Sequence, residues 1–359
     1  MAAPMVETHF KSILCPLKEL RLDKTLACGQ SFRWKECVPG TWIGVLAGKV
    51  WKLRQTQDKI LYTTYAGSHP KDMPSNKRQK HSKKKCEVNL QKETTNSKNH
   101  LEVDDLVERN ILTDYFQLSV KLEELYSHWS EKDPNFKAKS EHFEGVRILR
   151  QHPVENLFSF ICSSNNHISR ISSMVEKLCE HYGELITEVD GQPYFSFPTI
   201  SSLAVEGVED KLRQLGFGYR AKYISSSAQY LNENGGENTL FKLREQSYKE
   251  AKEQLMKLNG VGAKVADCVC LMSMDKSGAI PVDTHVWQIA ARDYIPKLKQ
   301  SKSLTDNLYT EIGDHFRSLW GPYAGWAHSV LFTADLRKFK REGPESNKKK
   351  DNTKRRKEK

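Results

Sequence analysis

The stretch Leu258-Asn259-Gly260-Val261-Gly262-Ala263-Lys264-Val265-Ala266-Asp267 constrains this chain more than any other, because it sets a glycine turn between two amphipathic segments. Residues 247–257 read as a first helix, Leu258 to Gly262 as a hairpin, and residues 263–274 as a second helix. Gly260 and Gly262 permit φ > 0 and the close approach of another molecule's backbone. Their amides, at the start of the second helix, form a ready site for a phosphate. On that helix Lys264, Cys268 and Met272 fall at i, i+4 and i+8 and share one face. Lys264 lies where the positive end of the helix dipole and partial burial both oppose a charged ammonium, and a lysine kept neutral is a nucleophile. Val282-Asp283-Thr284-His285 then supplies a carboxylate.

Composition sets the class. With 359 residues, 38% hydrophobic and 9% aromatic, the chain reads as a globular protein of two domains. No run of about eighteen apolar residues occurs, and Glu7, His9 and Lys11 interrupt the N-terminus, so neither a membrane span nor a secretory signal is expected. The net charge of +11 suggests nucleic acid, but its distribution qualifies that reading. Residues 68–100 hold nine Lys/Arg against three Asp/Glu, and residues 338–359 eleven against four. Those segments contribute +6 and +7 to the total of +11, which leaves the remainder near −2. DNA contact by the folded body therefore depends on local amides and a few cations.

The expected fold class is α+β. Trp42 to Leu46, Val50 to Leu53 and Lys59 to Tyr65 are short β-branched and aromatic runs separated by turns, which reads as an antiparallel meander. Leu118, Leu122, Leu125 and Tyr126, then Val154, Leu157, Phe158 and Ile161, have helical spacing. The reading is a flexible terminus (1–9), a small N-terminal antiparallel β-sheet domain (10–66 and 104–145), a disordered basic insert (67–103), a mostly α-helical helix-hairpin-helix domain (146–337) and a disordered basic tail (338–359).

Five motifs in order carry a resemblance: Gly29 to Trp34, Phe158 to Asn166, Leu215 to Ala221, the hairpin with Asp283, and Leu319 to Ala327. They resemble the helix-hairpin-helix DNA glycosylases with a Gly/Pro-rich loop and an aspartate, and within them the eukaryotic 8-oxoguanine DNA glycosylases. The resemblance implies that Lys264 attacks the sugar C1′ of a flipped nucleotide and leaves a Schiff base that permits strand cleavage, with Asp283 stabilising positive charge on the sugar. It places Gly29, Cys268, Met272, Pro281, Asp283, His328 and Phe332 around the base. Asn165 fills the vacated stack, Arg170 and Arg220 read the orphaned cytosine, and Tyr219 wedges the duplex. Gly260, Gly262 and His285 face phosphate.

The same resemblance implies no catalytic cofactor, and a structural cation held by the carbonyls of Met256, Leu258 and Val261. It implies double-stranded DNA with 8-oxoguanine opposite cytosine as substrate, downstream repair proteins as partners, a monomer, and no membrane. Two departures stand out. Asn259 replaces a common proline, which loosens the turn. His328 replaces a glutamine, and a titrating imidazole there is expected to make base recognition sensitive to pH between about 6 and 8.

Two alternatives differ from this reading. An iron–sulfur glycosylase needs four grouped thiolates beyond the aspartate, whereas the eight cysteines end at Cys270. A non-enzymatic DNA-binding scaffold on the same fold needs neither Lys264 nor Asp283. Lys83-Lys84-Lys85 and Lys354-Arg355-Arg356-Lys357 suit nuclear import, while the N-terminus has too few basic residues for a mitochondrial presequence.

Overall fold

Aromatic and β-branched residues at positions 41–65 build the anticipated meander. The computed structural model describes residues 10–66, 92–336 and 338–339, with the side chains of 92–103 outside that description. Strands β1 (Lys11–Leu14), β2 (Lys35–Val38), β3 (Thr41–Leu46), β4 (Lys49–Gln55) and β5 (Lys59–Tyr65) form one antiparallel sheet in the order β1-β5-β4-β3-β2. Alternation sends Trp42, Trp51, Leu53, Ile60 and Tyr62 to one face. There they meet α1 (Leu22–Thr25) and, from α2 (Lys92–Tyr115), Leu112 and Tyr115, with Phe116 just beyond it. Ile43, Val45 and Val50 point the other way, against Val189.

Helix α2 begins at Lys92, so the last part of the stretch expected to be disordered is helical. Its composition resembles a loop, but a helix nucleated by the buried end at Leu112 and Tyr115 extends at little cost per added residue. The anticipated terminus 1–9, most of the insert and nearly all of the tail lie outside the described residues.

The remaining elements are α3 (Leu122–Lys132), α4 (Pro134–Ser140), α5 (Pro153–Ile161), α6 (Ile168–Tyr182), the β6 (Leu185–Val189) and β7 (Gln192–Phe195) hairpin, α7 (Ile200–Leu203), α8 (Val208–Gln214), α9 (Arg220–Glu233), α10 (Glu237–Lys242), α11 (Tyr248–Leu255), α12 (Ala263–Ser273), α13 (Thr284–Asp293), α14 (Asp306–Trp320) and α15 (Ala324–Asp335). They share one apolar core. Residues 122–143 turn their apolar side chains into that core. Tyr126, Trp129, Phe136 and Phe143 are buried in it, and the Trp129 indole N–H donates to the Trp320 carbonyl.

Arg147 joins the two parts. Its fully buried guanidinium donates to the carbonyls of Glu19, Phe116, Gln117 and Val120 and to the Glu19 carboxylate. A buried cation with so many acceptors is costly to remove, because the acceptors are left without a donor. Arg147→Ala should lower the free energy of unfolding by about 3–5 kcal/mol in urea titrations. A loss below about 1 kcal/mol, the range of an exposed ion pair, would show that other contacts hold the parts together.

Candidate active site and nucleic-acid interface

The hairpin is pinned from behind by α9. Gly260 takes φ +82, and a Cβ there would lie 2.5 Å from the Tyr223 ring, so glycine is required by backbone and by packing. Asn259 answers the missing proline with two bonds: its side-chain amide donates to Ser226 Oγ at 3.0 Å, and its carbonyl accepts from Ser227 at 2.8 Å. Gly262 departs from expectation, since its backbone is extended (φ −87, ψ −177) and needs no left-handed freedom. Its Cβ position faces open space, so it leaves room for an approaching backbone at the first residue before α12.

Lys264, half-buried in the first turn of α12, extends over the end of α5. Its Nζ donates to Ser163 Oγ at 3.2 Å and lies 5.1 Å above the Phe160 ring. Cys268 follows one turn later, buried, with its thiol pushed up to about 11 by burial; the Lys264 ammonium opposes that shift and the Asp283 carboxylate adds to it. The three side chains therefore share one electrostatic neighbourhood. Asp283 caps α13, accepting the Val286 N–H at 2.9 Å. That bond fixes one carboxylate oxygen. Met272 is buried on the same face of α12, and its carbonyl accepts the Gln151 N–H at 2.8 Å; Pro281 is buried just before Asp283.

The opposite wall comes from α15. Phe332 is partly buried, with His285 edge-on at 6.1 Å and His328 tilted at 6.1 Å between ring centroids. Gly29 (φ +85) follows Cys28, whose buried thiol, raised by burial, accepts from the Gln30 side-chain amide at 3.2 Å and donates to the Thr25 carbonyl at 3.4 Å. Gln30 locks the loop: its amide donates to the Arg147 carbonyl at 2.6 Å and accepts the Leu149 N–H at 3.0 Å. A Cβ on Gly29 would meet Ile168 at 2.9 Å. Lys264, Cys268, Asp283, His328 and Phe332 are thus neighbours.

A second cluster adjoins it through Ser163. Asn165 is exposed at the loop after α5 with φ +45, a left-handed conformation rare for residues other than glycine. The Tyr219 hydroxyl donates to the Ser164 carbonyl at 3.1 Å, and Arg220 Nη2 donates to the carbonyls of Ser164 and Asn165. Arg220 is 3% exposed, so the residue expected to read a base is folded into the protein in this state. Tyr219 is 46% exposed and able to wedge. Arg170 is exposed in the first turn of α6, and His285 is exposed in the first turn of α13.

Reading the sequence missed a buried hub one residue before Cys268. The fully buried Asp267 carboxylate accepts from the Tyr248 hydroxyl at 2.6 Å, the Lys252 ammonium at 2.8 Å and the Tyr309 hydroxyl at 2.5 Å. Tyr309 in turn accepts the Val282 N–H at 3.3 Å. No local spacing signals this, because its partners come from two other helices. A cavity of about 430 Å³ lined by Asp114, Arg150, Asp275 and Trp326 shares no residue with the site.

Residues 12–157 match the family model of the 8-oxoguanine DNA glycosylase N-terminal domain, and residues 158–314 match that of the HhH-GPD superfamily of base excision DNA repair proteins. The N-glycosylase/DNA lyase OGG1 of Arabidopsis thaliana is 36% identical over 329 residues, covering 89% of this chain and 80% of that one. The chain belongs to the 8-oxoguanine DNA glycosylase family. The N-glycosylase/DNA lyase of Saccharomyces cerevisiae is 43% identical over 251 residues, 63% of this glycosylase and 66% of the relative. An 8-oxoguanine glycosylase/lyase of Clostridium acetobutylicum, solved with double-stranded DNA containing cytosine opposite 8-oxoG, has a TM-score of 0.68 at 28% identity, covering 88% of this chain and 91% of that one. The boundary between the two family matches falls within α5, later than the division at 145 drawn from sequence.

His328 corrects one expectation. It is 7% exposed, and neither ring nitrogen makes a hydrogen bond of ordinary geometry. Burial lowers its pKa to about 4, against a weaker opposing pull from the Asp283 charge and the nearby Gly325 carbonyl. The ring of the free glycosylase is therefore neutral from pH 6 to 8 and supplies no pH switch there. Between about pH 6.5 and 4 the unfolded chain binds a proton that the folded chain excludes, so stability is full above that window and falls as the pH drops through it. Replacing His328 with Gln should remove up to about 3 kcal/mol of this acid sensitivity in denaturation measured from pH 7 to 4. Parallel pH–stability curves for parent and variant would contradict the assignment.

Proposed function

We propose that this family member excises 8-oxoguanine opposite cytosine from double-stranded DNA and cleaves the resulting abasic site, with Lys264 as the nucleophile. The observation that carries the reading is the half-buried Lys264 amine, placed by the hairpin over Phe160 and beside Cys268, whose thiol also senses Asp283. The Lys264 nitrogen forms a bond to C1′ while the base departs with the electrons of the glycosidic bond and takes up a proton. The hemiaminal then opens to a Schiff base as its bond to the ring oxygen breaks, and loss of a C2′ proton forms a C2′–C3′ double bond and expels the 3′ oxygen with its phosphate. Asp283, with one oxygen engaged by Val286, offers the other to the positive charge that develops on the sugar.

Gly29 supports lesion selection. Without a side chain, its carbonyl can approach the N7–H that 8-oxoguanine has and guanine lacks. One such bond with the penalty of its absence discriminates by about 1–3 kcal/mol. Cys268 and Phe332 sandwich the base, with Met272 and Pro281 behind it. The unpartnered His328 ring nitrogens gain a partner from the base edge. Flipping costs a few kcal/mol. Asn165 fills the gap, Tyr219 wedges it, Arg170 and Arg220 read the orphaned cytosine, and His285 with the amides at Gly260 and Gly262 takes phosphate.

At the hairpin, the carbonyls of Met256, Leu258 and Val261 would hold a structural cation. The Leu258 carbonyl accepts the Val261 N–H at 3.1 Å and keeps a second lone pair for an ion, and a set of neutral oxygens suits a hard ion. The ion would draw phosphate and takes no part in bond breaking. An iron–sulfur cluster is not part of the proposal, since such clusters take four grouped thiolates beyond the aspartate and the last of the eight cysteines is Cys270. Among the described residues no helix is long and apolar enough to cross a membrane. Nuclear residence, a monomeric state and handover to downstream repair proteins complete the proposal; the basic segments that suggest the nucleus lie outside the described residues.

Mixing the protein with a duplex carrying 8-oxoguanine opposite cytosine and adding borohydride should trap a covalent adduct that Lys264→Gln abolishes. A parent protein that binds the duplex and is not trapped would favour the scaffold alternative.

A further inference from the structure

The hydroxyl of Ser163 stands between the two clusters and belongs to neither of the roles assigned above. Its Oγ–H donates to the Phe160 carbonyl at 2.7 Å, so the orientation of the hydroxyl is set and a lone pair faces Lys264 Nζ at 3.2 Å. The amine is thereby held against the end of α5. Ser163 also opens the loop whose next two carbonyls are occupied by Arg220, with Tyr219 sharing the first. That loop carries the left-handed Asn165, and it continues into Asn166, whose amide donates to the Cys162 carbonyl at 3.0 Å.

Arg220 is not at rest in this arrangement. Its guanidinium is buried, yet Nε has no partner while Nη2 serves two carbonyls. Charge-assisted donors of this kind are strong and directional, so a better acceptor draws the guanidinium off the loop. Once Nη2 leaves, the Ser164 and Asn165 carbonyls lose their clamp and the strained Asn165 backbone is free to change. Ser163, one residue upstream, moves with them.

We propose that Ser163 is a positioning residue for Lys264, and that through it the 162–166 loop makes the placement of the nucleophile depend on what Arg220 contacts. This rests on the functional reading above, in which Arg220 leaves the loop to read the base opposite the lesion. With cytosine there, Arg220 is drawn off and Ser163 carries Lys264 into line with the sugar. With a base that Arg220 does not read, the guanidinium stays on the carbonyls and the same hydroxyl keeps the amine parked. Opposite-base preference then lies in the chemical step as well as in binding.

The experiment measures single-turnover excision by the full chain on duplexes with 8-oxoguanine opposite cytosine and opposite adenine, for the parent, Ser163→Ala and Ser163→Thr. Binding is measured on a duplex with a tetrahydrofuran abasic analogue opposite cytosine. Ser163→Ala should slow excision opposite cytosine by about tenfold and opposite adenine by much less, so that the preference narrows at least about fivefold. Its affinity for the tetrahydrofuran duplex should stay within about twofold of the parent's, and Ser163→Thr, which keeps the hydroxyl, should retain the parent's preference. Equal slowing on both duplexes, or no slowing, would overturn this proposal and leave the functional reading standing. A parent that excises from neither duplex would overturn the functional reading and this proposal with it.

Discussion

A buried carboxylate that must keep three donors holds the reacting groups in register. Asp267 binds Tyr248 and Lys252 from α11 and Tyr309 from α14, while its own helix carries Lys264 one turn earlier and Cys268 one residue later. Stripped of those donors in a dry interior it would cost several kcal/mol, so the three helices are not free to slide. Tyr309 passes the constraint on by accepting the Val282 N–H, immediately before Asp283. Lys264, the proposed nucleophile, and the Asp283 carboxylate sit on different elements, and one hub refers both to the same point.

The near-neutral charge of the chain outside its two basic segments turns attention from bulk electrostatics to geometry. The hairpin offers an unobstructed Gly262 ahead of the α12 dipole, braced by Gly260 against Tyr223 and by Asn259 against Ser226. Such a grip depends on rigid amides rather than on the number of lysines. With Asn259 in place of proline, the side-chain amide bond to Ser226 supplies a tertiary restraint where the ring is missing.

Much of this was legible beforehand where the signal is local. The hairpin, the shared face of Lys264, Cys268 and Met272, and strands β3, β4 and β5 follow from spacing and turn chemistry. Features made by distant partners were not. The Asp267 hub and the Ser163 contact arise from packing between segments far apart in sequence. His328 was identified as a departure from the family, but its acidic pKa depends on burial that no spacing rule reveals. Arg220 is expected to read a base, and its bonds to the Ser164 and Asn165 carbonyls in the free protein are a feature that no local motif signals.

The central claim is that the active geometry of Lys264 and Asp283 is maintained by Asp267 and its tyrosines. Tyr309→Phe removes one hydroxyl, about 3 Å from two partners it would otherwise serve, and keeps the ring. Single-turnover excision from a duplex with 8-oxoguanine opposite cytosine should fall by roughly tenfold to a hundredfold, the cost of misplacing a reacting group by about 1 Å, with duplex affinity preserved. An unchanged rate in a folded Tyr309→Phe protein would contradict the account.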